Sequence, residues 1–188
     1  MKDHRAGCEV GKARVSQSRW LVQSHTVIID RHRESMHKTT WDGEPISPRP
    51  PFGASIVVYR KATVGLEFLI LHRAHEGPGF EGDWAWTPPA GVRFPEEDLR
   101  ECALRELKEE VGLELEVRRT NLGTKEWAVF MAEARTNSRV EVNPEHDRFE
   151  WMDRAKATEH CRPESVAMQI AGVADALSGS TQIGGHNT

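Results

Sequence analysis

The 188-residue sequence predicts an α/β (α+β) domain, with helices packed against a mixed β-sheet. Three observations carry that expectation. Short runs rich in β-branched and aromatic residues recur from Ala54 to Met152. One amphipathic helical segment, ending at Val111, interrupts them. A second helical segment, Pro163–Leu177, closes the order.

The elements follow from local chemistry. Residues 1–50 form an N-terminal extension: 1–18 are polar and read as poorly ordered, and Arg19–Asp30 holds an extra strand. Trp41-Asp42-Gly43-Glu44 reads as a turn, and Ser47-Pro48-Arg49-Pro50-Pro51 is a stiff linker. The domain then spans 51–178, followed by a flexible tail over 179–188. Ser55–Lys61 and Leu66–Arg73 are strand-like and separated by a turn at Thr63-Val64-Gly65. Trp84–Thr87 is a third extended piece, stopped by Pro88-Pro89.

Asp98 suits the N-cap of the first helix, with Glu101 three residues on as its reciprocal partner. Gly112 suits the left-handed C-terminal cap. Ala103, Leu104, Leu107 and Val111 make the apolar stripe, beside the carboxylates rather than opposite them. Further strands are expected at Leu113–Arg118, Glu126–Ala134 and Arg148–Met152. In the last helix Val166, Ile170, Val173 and Leu177 share one face, with Pro163 in the first turn.

Composition narrows the function classes. Charged residues make up 29% and the net charge is −4, a soluble, globular balance. Residues 1–50 hold nine Lys/Arg and six Asp/Glu, so residues 51–188 hold the remaining 16 and 23. An acidic body argues against a DNA or RNA footprint. No apolar run reaches membrane-spanning length, and the N-terminus lacks the apolar core of a signal peptide. Cys8, Cys102 and Cys161 form no zinc pattern and imply no disulfide framework, so the cytoplasm is the expected compartment.

The chemistry concentrates in one helix. Glu106, Glu109 and Glu110 fall within two turns, with Glu106 and Glu110 nearly in line. Neighbouring carboxylates repel and resist ionisation beside one another. A divalent cation removes that repulsion, and oxygen-only ligation suits Mg²⁺, with Mn²⁺ as an alternative, rather than zinc.

Gly91, Glu97, Arg105-Glu106-Leu107, Glu109-Glu110 and Gly112-Leu113 match all nine defined positions of G-x5-E-x7-R-E-U-x-E-E-x-G-U, where U is aliphatic. The segment resembles the Nudix box. The resemblance implies an α/β/α sandwich with a mixed β-sheet, and a metal-dependent hydrolase cleaving phosphoanhydride bonds in nucleoside diphosphate-linked substrates. It implies Glu106, Glu109 and Glu110 as metal ligands, with a carbonyl near Ala90 or Gly91 as a further one. Glu97 and Arg105 become the pair that supports the helix, and Glu109 or a glutamate outside the box becomes the base.

Trp86-Thr87-Pro88-Pro89-Ala90-Gly91 is similar to the W-T-P-P-K-G run of diadenosine tetraphosphate hydrolases. Asn143–Trp151 resembles the glutamate-histidine stretch of the same group, which makes Glu145 an additional ligand or the base. Two departures stand out: Ala90 replaces the lysine, and Phe130 stands about where a tyrosine is expected to stack on a base. Arg60, Lys61, Arg73 and Arg93 could supply charge for phosphates, Arg73 foremost because it ends a strand beside the box. The expected substrate is a small-molecule nucleotide, a (di)nucleoside polyphosphate. Pro89-Ala90-Gly91 is also similar to ADP-ribose pyrophosphatases, which keeps ADP-ribose or a nucleotide sugar open, and a homodimer built through an N-terminal arm. A rival of another class is a non-catalytic nucleotide sensor, against which the complete glutamate set argues.

Overall fold

Seven consecutive residues, Gly53 to Tyr59, are buried, so the strand they form is covered on both faces. Such a strand reads as a nearly unbroken apolar run and belongs at the centre of a sheet. The computed structural model of the chain describes Thr39, Thr40 and residues 43–180. Its elements run β1 (Gly53–Lys61), β2 (Leu66–Arg73), β3 (Trp86–Thr87), β4 (Ala90–Val92), α1 (Leu99–Val111), β5 (Val117–Arg119), β6 (Trp127–Glu133), β7 (His146–Asp153), α2 (Arg154–His160) and α3 (Glu164–Ser180).

The seven strands form one sheet, with a path β3-β2-β1-β6-β5 from which β4 pairs β1 and β7 pairs β2. β1 and β6 are parallel and the other pairs antiparallel, so the sheet is mixed. Tyr59–Lys61 of β1 pair with β2, while Gly53–Ser55 pair with β4. The exchange of partners along β1 brings the chain just before α1 into the sheet.

Alternate residues of β1 face two cores. Ala54, Ile56 and Val58 pack with Ala103, Leu107 and Val111 of α1. Val57 and Tyr59 pack with Ala157 of α2 and with Val166, Ile170 and Val173 of α3. The result is the expected α/β/α sandwich with its mixed β-sheet.

Several boundaries differ from the sequence reading. Of Leu113–Arg118, only Val117 onward is strand, because Leu113 and Leu115 pack against the α1 core without a ladder partner. Trp84 is not extended but sits at φ 68°, so β3 is just two residues long. Ala90–Val92 pairs as β4, where the sequence shows only the entry into the box. Helix α2 was not anticipated: just one of its seven residues, Ala157, is buried, so it has no apolar stripe to read. The last helix runs to Ser180 rather than Leu177. The Arg19–Asp30 strand and residues 181–188 of the tail lie outside the described residues, as do Trp41 and Asp42 of the turn.

The proline-rich linker is fastened to the segment that precedes α1. Ser47 N–H donates to the Arg93 carbonyl at 2.8 Å, and Arg93 N–H donates to the Phe52 carbonyl at 2.7 Å. The Arg93 guanidinium also reaches the carbonyls of Arg49 (2.6 Å), Pro51 (3.0 Å) and Glu97 (2.9 Å).

Candidate active site

Helix α1 begins and ends as its sequence requires. The Asp98 carboxylate accepts from Arg100 and Glu101 N–H, and Asp98 N–H donates to the Glu101 carboxylate, closing the capping box. Gly112 takes φ 67°, a left-handed conformation that glycine adopts without a Cβ penalty. With its ends fixed, the helix buries Glu106 and Glu110 alongside Ala103, Leu107 and Val111. Glu106 is 0% and Glu110 3% exposed. Glu109 stands at the solvent edge, its side chain 53% exposed.

Arg105 organises the outer half of the group. Its Nε donates to Glu97 Oε1 at 2.8 Å and its Nη2 to Glu97 Oε2 at 3.0 Å, a two-pronged pair. Nη2 also reaches the Val92 carbonyl at 2.8 Å. Nη1 is shared between Glu106 Oε1 (2.7 Å) and Glu109 Oε2 (3.1 Å). Glu97 Oε2 in turn accepts from Phe94 N–H at 2.9 Å, which anchors the pair to the strand–helix connection. The inner half rests on backbone, since Glu110 Oε2 accepts from Ala90 N–H at 2.9 Å.

Gly91 is required by space. A Cβ there would lie 1.9 Å from Glu106 Oε1 and 2.0 Å from its carboxyl carbon. Its carbonyl, one of the two expected ligand oxygens, accepts from the Cys102 thiol at 3.8 Å. Cys102 itself is fully buried, and burial raises its thiol pKa.

Glu145 comes to the same place from a distant segment. The loop before β7 docks on the end of α1: Glu141 N–H donates to the Val111 carbonyl and Asn143 N–H to the Glu110 carbonyl, both at 3.1 Å. These bonds satisfy carbonyls that a helix end otherwise leaves open. Asn143 Oδ1 accepts from Glu145 N–H at 3.2 Å, and the Glu145 carbonyl accepts from Ala74 N–H at 2.9 Å. Glu145 Oε2 is buried with no hydrogen-bond partner among the described residues.

The electrostatics follow from this crowding. Burial, above all, pushes Glu106 up to about 7; Glu109 and Glu145 act in the same direction and Arg105 against it. Glu110 is held well above the ordinary carboxylate range, by burial first and by the Glu106 charge next, with Ala90 N–H and Arg73 opposing. Arg73, at the end of β2, is lowered by burial while Glu110 and Glu145 favour its charge. Among the described residues no three His, Cys, Asp or Glu side chains already enclose a point where an ion could sit. Glu106 is held by Arg105 and Glu110 by Ala90. The donors that could take up a cation are all oxygens, a set suited to Mg²⁺ or Mn²⁺.

The structure thus brings together Glu97, Arg105, Glu106, Glu109, Glu110, Gly91, Glu145 and Arg73. It does not bring Phe130: that ring is 3% exposed, in the core beneath α1, and presents no face to a base. Strand β6 is parallel to the central strand, so its inward residues are enclosed. Arg60 is taken by Glu67 and stacks on Trp151, Lys61 pairs with Glu133, and Arg93 holds the linker. An open groove of about 590 Å³ at the Lys61 end of the sheet, lined also by Glu133, Arg135 and Asn137, shares no residue with the group. Two residues that sequence reasoning passed over are His72 and Asp147. A histidine directly after the apolar run Leu69–Leu71, still within a buried strand, was the available signal.

Residues 49–170 match the NUDIX domain. The chain belongs to the Nudix family. The asymmetrical bis(5'-nucleosyl)-tetraphosphatase of Caenorhabditis elegans is 28% identical over 112 residues, which cover 53% of this chain and 77% of that protein. A crystal structure of a C. elegans Ap4A hydrolase binary complex shares 26% identity at a TM-score of 0.58, covering 68% of this chain and 98% of that one. The Escherichia coli dihydroneopterin triphosphate pyrophosphohydrolase, 20% identical with a TM-score of 0.53 over 69% and 99% of the two chains, shares the fold. This Nudix chain is a pyrophosphohydrolase, and Nudix hydrolases use divalent metal ions. No helix among the described residues is long and apolar enough to cross a membrane.

Proposed function

We propose that the chain is a Mg²⁺-dependent hydrolase of (di)nucleoside polyphosphates. The observation that carries this is the meeting of Glu145 with Glu106 and Glu110: the buried Oε2 of Glu145, unpartnered among the described residues, adds a third carboxylate to two already raised by burial. Similarity to the C. elegans tetraphosphatase, including the Trp86–Gly91 run that leads into the box, supports the substrate class.

The residues fit a divalent cation, because the donors are oxygens, Oε2 of Glu145 lacks a partner among the described residues, and Gly91 keeps the space at Glu106 clear. Glu106, Glu110 and Glu145 would hold the ion. When bound, it supplies Lewis-acid polarisation of the phosphate oxygens and acidifies water. Glu97 holds Arg105, and Arg105 holds Glu106 and Glu109 in fixed positions. Glu109, still hydrated, takes the proton of the attacking water. Arg73 offers its guanidinium to a phosphate, where its charge counters that of the transferred group.

The test is a nucleotide panel with Mg²⁺ or Mn²⁺ and product identification. ATP plus AMP from diadenosine tetraphosphate supports the reading; fast cleavage of ADP-ribose or a nucleotide sugar without tetraphosphate turnover overturns it. Glu110→Gln should remove turnover with the fold retained. Unchanged turnover would sink the metal assignment.

A further inference from the structure

Strand β7 pairs with β2 in regular antiparallel register from Asp153 back to Arg148, which faces His72. The register then skips one residue, and Arg73 faces His146, so Asp147 is the extra residue of a bulge. A bulge bends its strand and re-aims side chains. In an unbroken strand Asp147 would share a face with Phe149, which packs toward α1. Its carboxylate instead reaches His72, whose ring stands 4.7 Å from Trp86 in the core on the other side of the sheet.

His72 is completely buried and spans two fixed points. Its Nδ1 is 2.7 Å from Asp147 Oδ1 and its Nε2 is 2.7 Å from the Phe80 carbonyl, to which it donates. Arg148 grips the same carboxylate, with Nη1 at 3.1 Å from both oxygens. Glu145 lies two residues upstream of this anchor.

We propose that His72 is a positioning residue, which through Asp147 fixes the bulge that aims Glu145 at Glu106 and Glu110. The inference rests on the role given to Glu145 above. Without the tether the bulge is free to relax, and taking Asp147 into the ladder shifts the residues before it, Glu145 among them, by one place and to the opposite face. Removing a residue that orients a metal ligand lowers metal affinity or activity about 10–100-fold.

The test combines Asp147→Ala and His72→Leu, each alone and together with Glu145→Gln, with Asp147→Asn as the conservative variant that keeps an acceptor oxygen before Nδ1. Turnover of diadenosine tetraphosphate and Mn²⁺ affinity, read from the electron paramagnetic resonance of free manganese, are measured for each. Asp147→Ala should lower kcat and Mn²⁺ affinity about 10–100-fold and leave KM within about twofold, and Asp147→Asn should restore most of the loss. In the Glu145→Gln background neither substitution should cost more, because the residue being positioned is already disabled. Losses that multiply in that background overturn the inference, as does Asp147→Ala with wild-type manganese affinity. Should His72→Leu not fold, the Asp147 pair carries the test. A Glu145→Gln enzyme with wild-type turnover and affinity defeats the role of Glu145 and the inference with it. A defective Glu145→Gln beside a silent Asp147→Ala defeats the inference alone.

Discussion

Arg105 and Glu97, eight residues apart, face each other through two hydrogen bonds of 2.8 and 3.0 Å, with side chains only 18% and 13% exposed. The pair joins α1 to the chain that leads into it. Arg105 also contacts Glu106, Glu109 and the Val92 carbonyl, so one guanidinium sets the outer half of the active site.

Glu97→Gln should therefore cost about 2–4 kcal/mol of stability, because it leaves a largely buried guanidinium short of charge. Arg105→Lys should not rescue function, since a point ammonium cannot reproduce the two-pronged geometry. Urea unfolding of both variants, alongside their turnover, checks this.

Gly91→Ala places a methyl group where the Glu106 carboxyl now lies. The expected outcome is a stability loss of about 1–3 kcal/mol from overpacking and weaker Mn²⁺ binding, because Glu106 must move. Wild-type Mn²⁺ affinity in this variant, measured by calorimetry, would contradict the placement.

The raised carboxyls make a pH prediction for metal-free protein. A carboxyl whose folded pKa lies above its unfolded value stabilises fully below the unfolded value and loses that contribution as pH rises through the folded one. For Glu106 the window runs from the ordinary 4.5 to about 7. Metal-free protein should thus lose up to about 3 kcal/mol between pH 4.5 and 7.5, and Glu110 adds to the fall. Saturating Mg²⁺ should flatten the profile, and Mn²⁺ affinity should rise with pH across the same window. Thermal melts in chelator and in Mg²⁺ test both statements.

Phe130→Ala should behave as a core truncation, costing about 3–5 kcal/mol, and Phe130→Leu should leave KM for nucleotide unchanged. A large KM increase in a stably folded Phe130→Leu enzyme would restore Phe130 to the substrate.

Much of the site was legible because it is local. Five of the nine positions, Arg105, Glu106, Leu107, Glu109 and Glu110, are linked by the spacing of one helix, and the caps at Asp98 and Gly112 follow from backbone chemistry that a sequence displays directly. Glu145 was legible only by likeness, since no periodicity connects residue 145 with residue 110; the Asn143-to-Glu110 bond that joins them is tertiary. Phe130 went astray for a related reason. Its depth depends on the parallel pairing of β6 with β1, a contact between strands some seventy residues apart. Trp84 failed locally, because an aromatic residue two places before another, Trp86, reads as strand while its backbone here is left-handed.

The docking of residues 141–143 on the end of α1 separates two jobs within one connection. From Glu141 onward the chain is registered against the helix, while Asn137–Val140 between it and β6 form no part of the catalytic group. Residues inserted at Ser138 or Arg139 would lengthen the surface without moving Glu145. The same number inserted after Asn143 would shift it past its helix partners. This chain can therefore acquire new segments at one side of that tie and not at the other.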